Sequence, residues 1–411
     1  MQALARCVGD VDEFLQDRFG RAPHLWRAGA GAHDDLLTLA DVDAQLAGGG
    51  LRRPAVRVVR DGELVDPATW TRRARTGAVR VDDLVHPGRV LSLFGEGATI
   101  ALQSLHRWWD PLTRFCRTLE AELGHAVQAN AYLTPPSATG FTPHHDTHDV
   151  FVLQLHGTKR WTVRAPLVVD PLPRHRSDHE AAAGQPVTLE VELHPGDCLY
   201  LPRGHIHSAA TAQGASLHLT VGVLVTTVHD VLRRLVDLAA DEPELRRTVR
   251  RAGSLTGGAA AGDPAADPRL ADAAQLKGIV AELTAWLERL DGDDADLARS
   301  LAPVLGGPPR RAPLLHGVLV DLAELDALDD ATVLARRDGV GAPEVQGPVV
   351  ELDLGDRRLE LPGHLAPALE LLLDGAPRPV GELDGLLDRA SRAVLCRRLV
   401  REGVLGVVRG A

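Results

Sequence analysis

AVQANAYLTPPSATGFTPHHDTHDVFVLQLHGTKRWTVRAPLVVDPLPRHRSDHEAAAGQPVTLEVELHPGDCLYLPRGHIHSAATAQGASLHLTVGVLV, residues 126–225, carries the pattern that decides the fold. Short β-rich runs follow one another closely: AVQANAYL (126–133), GFTPHHD (140–146), DVFVLQL (149–155), KRWTVRA (159–165), PVTLEVEL (186–193), DCLYLP (197–202) and ASLHLTVGVLV (215–225). Gly/Pro turns part them, in TPPSATG, HGT, HPGD and PRG. Many short strands at such spacing predict a sandwich or closed barrel of the jelly-roll kind.

Upstream, the helix-like LHRWWDPLTRFCRTLEAELG (105–124) leads into this β-rich segment, which spans 93–225. Residues 1–92 mix helical and turn signals. DVDEFLQDRF (10–19) and DLLTLADVDAQLA (35–47) space apolar residues as helices do, with Asp near the starts. RPAVRVVRDGELVD (53–66) reads as a hairpin around Asp-Gly, and the whole N-terminal region is expected to complete the barrel domain. Downstream, 226–305 switches to a helical period in VHDVLRRLVDLAADEPELRRTVRR and LKGIVAELTAWLERL, parted by the small-residue stretch GSLTGGAAAGDPAADP (253–268). A second breaker, GGPPRRAP (306–313), opens a last segment, 312–411. There LAPALELLLDG, PVGELDGLLDRA and SRAVLCRRLVREGVLGVV predict helix, helix, helix and short strand, ending in a Gly-marked hairpin: a small winged-helix-like unit. Nine Arg against ten Asp+Glu over 351–411 point to a structural or partner-docking role rather than DNA binding.

Composition narrows the function. The 411 residues are 45% hydrophobic and 25% charged, a globular mixture. A net charge of −11 argues against nucleic acid or anionic lipid as a partner. Cys7, Cys116, Cys198 and Cys396 form no C-x-x-C pair, which excludes a zinc ribbon or disulfide framework and suits a reducing cytoplasm. No apolar run is long enough to span a membrane, and MQALARCVGDVDEFL has no signal-peptide core, so a soluble cytoplasmic protein is expected. Lys occurs only at 159 and 277, Asn only at 130 and Tyr only at 132 and 200, a bias that a GC-rich genome would produce. Where these types survive, the site is expected to require them. Asn130, Tyr132 and Lys159 fall within thirty residues of one another, beside the densest His cluster.

That cluster is Gly140-Phe-Thr-Pro-His-His-Asp-Thr-His-Asp149. Residues two apart on a strand share a face, so His144 and Asp146 are expected to point together and His145 away. Two imidazoles and one carboxylate with open positions form the ligand set of non-haem Fe(II) oxygenases, which leaves room for substrate, cosubstrate and dioxygen. The third ligand should lie on a later strand that folds back across the barrel. Gly196-Asp-Cys-Leu-Tyr-Leu-Pro-Arg-Gly-His-Ile-His207 offers His205 and His207 on one face. No G-x-S-x-G elbow or G-x4-G-K-S/T loop competes, and Trp108-Trp109 reads as core.

The run G-x5-P-x-G-x2-H, here Gly196, Pro202, Gly204 and His207, matches the second motif of the cupin superfamily at every fixed position. The first motif shows H-x-D, at His144 and Asp146, where ordinary cupins have H-x-H. Together, NAYLTPPSATGFTPHHD, DVFVLQLHGTKRWTV, LHPGDCLYLPRGHIHSA and SLHLTVG resemble the JmjC-type ribosomal oxygenases, which are Fe(II)- and 2-oxoglutarate-dependent protein hydroxylases. The resemblance is close over 93–225, and the segments after it follow that family's order of catalytic, dimerisation and winged-helix domains. It implies a mixed α and β chain with a double-stranded β-helix core. It also implies iron held by His144, Asp146 and His207, the motif spacing setting His205 aside.

By the same resemblance, Lys159 binds the distal carboxylate of 2-oxoglutarate; a dicarboxylate held at the metal by one end needs a cation at the other. Asn130 and Tyr132 would line the cosubstrate pocket, and His218, sharing a face with Thr220, would lie beside cosubstrate or substrate. His148 stands where the family has an apolar residue and reads as a group behind the ligands or at the surface. The function implied is hydroxylation of a side chain of a protein or peptide, either a ribosomal protein or a biosynthetic precursor peptide, by a homodimer. A small-molecule 2-oxoglutarate oxygenase and a non-catalytic cupin-fold binding or regulatory protein are the alternatives.

Overall fold

Period-two patterning becomes two antiparallel sheets in the computed structural model, which describes residues 3–136, 142–211, 214–249, 273–290, 295–305 and 311–409. The chain divides into two compact units, Met1–Pro308 and Pro309–Ala411. In the first, the strands are β1 (His24–Arg27), β2 (Val56–Arg60), β3 (Glu63–Leu64), β4 (Thr71–Thr76), β5 (Val79–Val85), β6 (Thr99–Leu102), β7 (Ala126–Thr134), β8 (Asp149–His156), β9 (Lys159–Arg164), β10 (Val187–Leu193), β11 (Asp197–Leu201), β12 (Ile206–Ala210) and β13 (Ser216–Leu224). One sheet runs β1-β11-β8-β13-β7-β6-β2-β3 and a second runs β10-β9-β12. Val150 and Val152 of β8 meet Trp161 and Val163 of β9, Leu193 of β10, and Leu199 and Leu201 of β11 between the sheets, giving a cupin-type barrel.

The central pair explains why the barrel is hollow and polar. β7 and β13 pair from Ser216↔Thr134 to Leu224↔Ala126. Their Val127, Ala129, Ala131, Leu133, Leu217, Leu219, Val221 and Val223 point outward onto helices Ala3–Val8, Val11–Asp17 and Asp110–Leu123, through Leu4, Phe14, Phe115 and Leu119. The alternate residues Gln128, Asn130, Tyr132, His218 and Thr220 face the interior. Because side chains alternate across a strand, covering one face with helices commits the other to the chamber.

The N-terminal residues are structurally part of this barrel: β1 pairs with β11, and β2 and β6 extend the sheet beyond β7. Asp61 and Gly62, with φ of 52° and 82°, turn the β2–β3 hairpin, a backbone that Asp-Gly accepts readily. Of the expected strand over 140–146, residues 140 and 141 lie outside the described residues, and no strand forms over 142–146. Residues 142–148 are loop, joined to β12 only by an isolated bridge between His144 and His207; Pro143 has no N–H to extend a ladder. Beyond β13, helices span Val228–Ala239, Ala273–Arg289 and Ala295–Leu305. The stretch 253–268 lies outside the described residues. Among those described, no helix is long and apolar enough to cross a membrane.

In the second unit, the expected helices over 365–375 and 391–408 correspond to Ala366–Leu372 and Arg389–Arg401, but the middle one shrinks to a 3-10 turn at Val380–Leu383. Gly381 and Gly385 weaken a helix there, and the Gly381 N–H is drawn instead to the Asp330 carbonyl. The last strand, Leu405–Val407, forms no local hairpin; it pairs with Val333–Arg336, which also pairs with Arg378–Pro379. A meander of Glu344–Gln346, Val349–Asp353 and Arg358–Pro362 is an addition that the helical reading passed over. Leu334, Val350, Leu352, Leu369, Leu395 and Leu399 form the unit's core.

Candidate active site

His144, Asp146 and His207 each offer a ligand atom, all within 4.8 Å of one another. They converge through backbone bonds. His144 N–H donates to the His207 carbonyl (3.2 Å), His207 N–H to the His144 carbonyl (2.8 Å), and Gly204 N–H to the Asp146 carbonyl (3.0 Å). The Thr142 carbonyl lies 2.7 Å from His144 Nδ1 and the His205 carbonyl 3.0 Å from His207 Nδ1. A carbonyl only accepts, so each Nδ1 carries a proton, which leaves Nε2 as the ring atom free to ligate. The His207 Nε2 then faces Asp146 Oδ2 at 3.6 Å. Two acceptors at that distance call for a cation between them, a proton or a metal ion.

The electrostatics favour the metal. Burial pushes the His207 imidazole down to about 4, with His144 adding to the effect and Asp146 opposing it. The ring is therefore neutral near pH 7, the state that ligates. Burial alone would raise the Asp146 carboxyl, but His207, His148, His144 and His145 around it outweigh that and hold it low. As expected, His145 turns away: its Nε2 donates to the His175 carbonyl (3.1 Å). His205 adds only its carbonyl to the ligand geometry.

All seven residues singled out from the sequence, the triad with Lys159, Asn130, Tyr132 and His218, line one cavity of about 470 Å³. Lys159 begins β9 and is 4% exposed, with Thr134 Oγ1 at 3.0 Å from its Nζ. No carboxylate among the described residues lies within ion-pair distance of it, and burial lowers its ammonium to about 8. Such a buried cation is poised for an anion. His218 stacks on Tyr132 with centroids 5.3 Å apart and stands edge-on to Trp161 at 5.5 Å. Burial, and secondarily Lys159, keeps its imidazole well below its usual range, and its Nδ1 has no hydrogen-bond partner among the described residues. Asn130 Oδ1 accepts the Ser104 N–H (2.9 Å), so this amide also holds the chain after β6. His148 lines the cavity too, its ring lying against Gly222, where a Cβ would come within 2.5 Å of its Cδ2.

Other lining residues escaped the sequence reading: Arg57, Gln103, Gln128, Trp161 and Ser208. Arg57 sits on β2, opposite Ala101, which is in turn opposite Tyr132, so one row across the sheet carries an Arg, a small gap and the Tyr–His stack. Only the period-two alternation within VRVVR could have hinted at it, and nothing there fixes which face is inward.

Comparison with known proteins agrees with this geometry. Residues 104–231 match the family described as JmjC domain. The chain is 35% identical over 215 residues to ribosomal oxygenase 1 of Gallus gallus, covering 51% of this chain and 34% of the relative. It is 30% identical over 243 residues to the bifunctional lysine-specific demethylase and histidyl-hydroxylase NO66 of Dictyostelium discoideum, covering 56% and 45%. The chain thus spans about a third to under half the length of these relatives. Among solved structures, the Escherichia coli ribosomal oxygenase YcfD in complex with cobalt and succinic acid shares the fold at a TM-score of 0.52 and 17% identity, over 97% of this chain and 98% of that one. YcfD has also been solved with cobalt and 2-oxoglutarate (TM-score 0.50, 16% identity, 97% and 98% covered). Over the domain built around His144, Asp146 and His207, the chain matches the JmjC domain family and resembles the ribosomal oxygenases.

Proposed function

We propose that the chain is an Fe(II)- and 2-oxoglutarate-dependent dioxygenase that hydroxylates a side chain of a protein or peptide, a ribosomal protein being the foremost candidate. The observation that carries this reading is a single cavity with two complementary demands: a His-Asp-His triad whose facing lone pairs need a cation, and a buried ammonium that needs an anion. The cobalt and 2-oxoglutarate bound by YcfD supply that pair of groups. When bound, Fe(II) and 2-oxoglutarate would let dioxygen act as the oxidant, one oxygen atom going to a C–H bond and the other into succinate as the cosubstrate loses carbon dioxide.

The chain's own residues do the positioning. His144, Asp146 and His207 hold the metal and leave sites open, with their Nδ1 bonds fixing the rings. Lys159 anchors the far carboxylate. Asn130, Tyr132 and His218 shape the cosubstrate side of the chamber, and Trp161 with Val150 adds apolar wall. The test is succinate release from 2-oxoglutarate with Fe(II), together with gain of one oxygen by ribosomal-protein peptides. Succinate without any peptide product would favour a small molecule as substrate, and no succinate would leave a cupin-fold binding protein.

We also propose that residues 226–305 serve as a dimerisation element and 312–411 as a winged-helix-like docking unit. Val228, Leu232 and Val236 support the first, being exposed four residues apart on one helix face. Molecular mass in solution checks it. Four free, buried cysteines support a cytoplasmic setting.

A further inference from the structure

Asp149 touches neither the cavity nor a candidate ligand, yet it joins the two segments that carry them. It opens β8, three residues after Asp146, and is fully buried. Its Oδ1 accepts the backbone N–H of Arg203 at 3.0 Å, and its Oδ2 accepts the Tyr200 hydroxyl at 2.5 Å. The Tyr200 oxygen in turn accepts the Gly20 N–H at 2.7 Å. Arg203 lies in the turn from Pro202 to His205. The next residue, Gly204, donates to the Asp146 carbonyl, and the His205 carbonyl fixes the His207 ring through Nδ1. That turn is cramped: Gly204 has φ +86°, and a Cβ there would lie 2.5 Å from the Val168 carbonyl.

We propose that Asp149 is a positioning residue for the metal ligands: by gripping the Arg203 amide, its buried carboxylate sets the turn that aims His207 at Asp146. This rests on the reading of His144, Asp146 and His207 as metal ligands. Groups that orient ligands are worth roughly 10–100-fold in metal affinity. Asp149 has a second role in the fold, through Tyr200 and Gly20, and the variants separate the two. Asp149→Ala removes both bonds. Asp149→Asn keeps an oxygen for the Arg203 amide. Tyr200→Phe removes only the hydroxyl.

The experiment is a Co(II) titration of the full chain with the visible Co(II) spectrum recorded, alongside thermal melting of each variant. Asp149→Ala should raise the Co(II) dissociation constant about 10–100-fold and alter the spectrum. Asp149→Asn and Tyr200→Phe should bind Co(II) nearly as the wild type does, Tyr200→Phe with a lower melting temperature. An Asp149→Ala protein with wild-type Co(II) affinity and spectrum would overturn the proposal. Wild-type protein that binds no Co(II) would overturn the ligand reading beneath it, a distinguishable failure. Should Asp149→Ala not fold, hydrogen exchange in the wild type decides: Co(II) should slow exchange of the Arg203 amide, and unchanged exchange would refute the coupling.

Discussion

Replacing Lys159 by Met should move stability and cosubstrate affinity in opposite directions. The ammonium is buried against one hydroxyl, and burial holds it at about 8 in place of its usual 10.5. That difference is worth on the order of 3 kcal/mol against the charged form. A base that binds its proton less tightly folded than unfolded costs stability wherever the unfolded chain is protonated. Here the cost is full below about pH 8 and fades as pH rises toward 10.5. Met fills similar space without the charge, so the unliganded protein should become more stable at pH 7, by up to that order. Affinity for 2-oxoglutarate should fall, because a buried charge-assisted contact contributes about 2–3 kcal/mol, or roughly 30–150-fold. Since only the ammonium attracts the carboxylate, wild-type affinity should also drop about tenfold per pH unit above 8, whereas the variant's should not. Anaerobic titration of the Fe(II) protein, followed by its visible charge-transfer band, gives the affinities; thermal melting of the unliganded protein gives the stabilities. A Met variant that binds 2-oxoglutarate as well as the wild type, or that melts far below it, would refute the reasoning.

Other outcomes follow from the same geometry. Asp146→Asn removes the carboxylate that faces His207 Nε2 at 3.6 Å, so Co(II) binding should be lost while the protein still folds, melting at or slightly below the wild type; retained binding would put the metal elsewhere. Gly157→Ala, in the β8–β9 turn at φ +62°, would place a Cβ 2.1 Å from the Ala215 carbonyl and should cost on the order of 3 kcal/mol in urea unfolding. A loss well under 1 kcal/mol would mean that this turn relaxes freely. In Gly222→Ala the new methyl meets the His148 ring at 2.5 Å and Gln128 Cγ at 3.3 Å, side chains that can shift where backbone could not. The variant should melt near the wild type while the His148 imidazole proton signals shift, and unshifted signals would contradict the packing described.

Much of the site was legible because period two operates within single strands. Asn130 and Tyr132, or His218 and Thr220, share a face whatever the rest of the chain does, and the outer faces of β7 and β13 are plainly apolar. The pairing of His144 with Asp146 came out as expected by a different route: the strand that should have aligned them is a loop, and bonds from His207 and Gly204 hold it in place. Arg57 and Thr134 carried no local signal, since each matters only through a partner on another strand. In the second unit, the turn at Gly381 and the pairing of Leu405–Val407 with Val333–Arg336 show long-range hydrogen bonds overriding a helical pattern. By itself, the sequence determined most strands of the barrel and their turns, the H-x-D and G-x5-P-x-G-x2-H residues that could ligate a metal, and the rare Lys set beside them, because these depend on residue type and near-neighbour spacing. Only the tertiary structure decided that Lys159 is buried with no carboxylate among the described residues within ion-pair distance, that His207 Nε2 faces Asp146, and that Asp149 accepts the Arg203 amide. Burial, lone-pair direction and local potential arise from atoms brought together across sheets, and no local spacing encodes them.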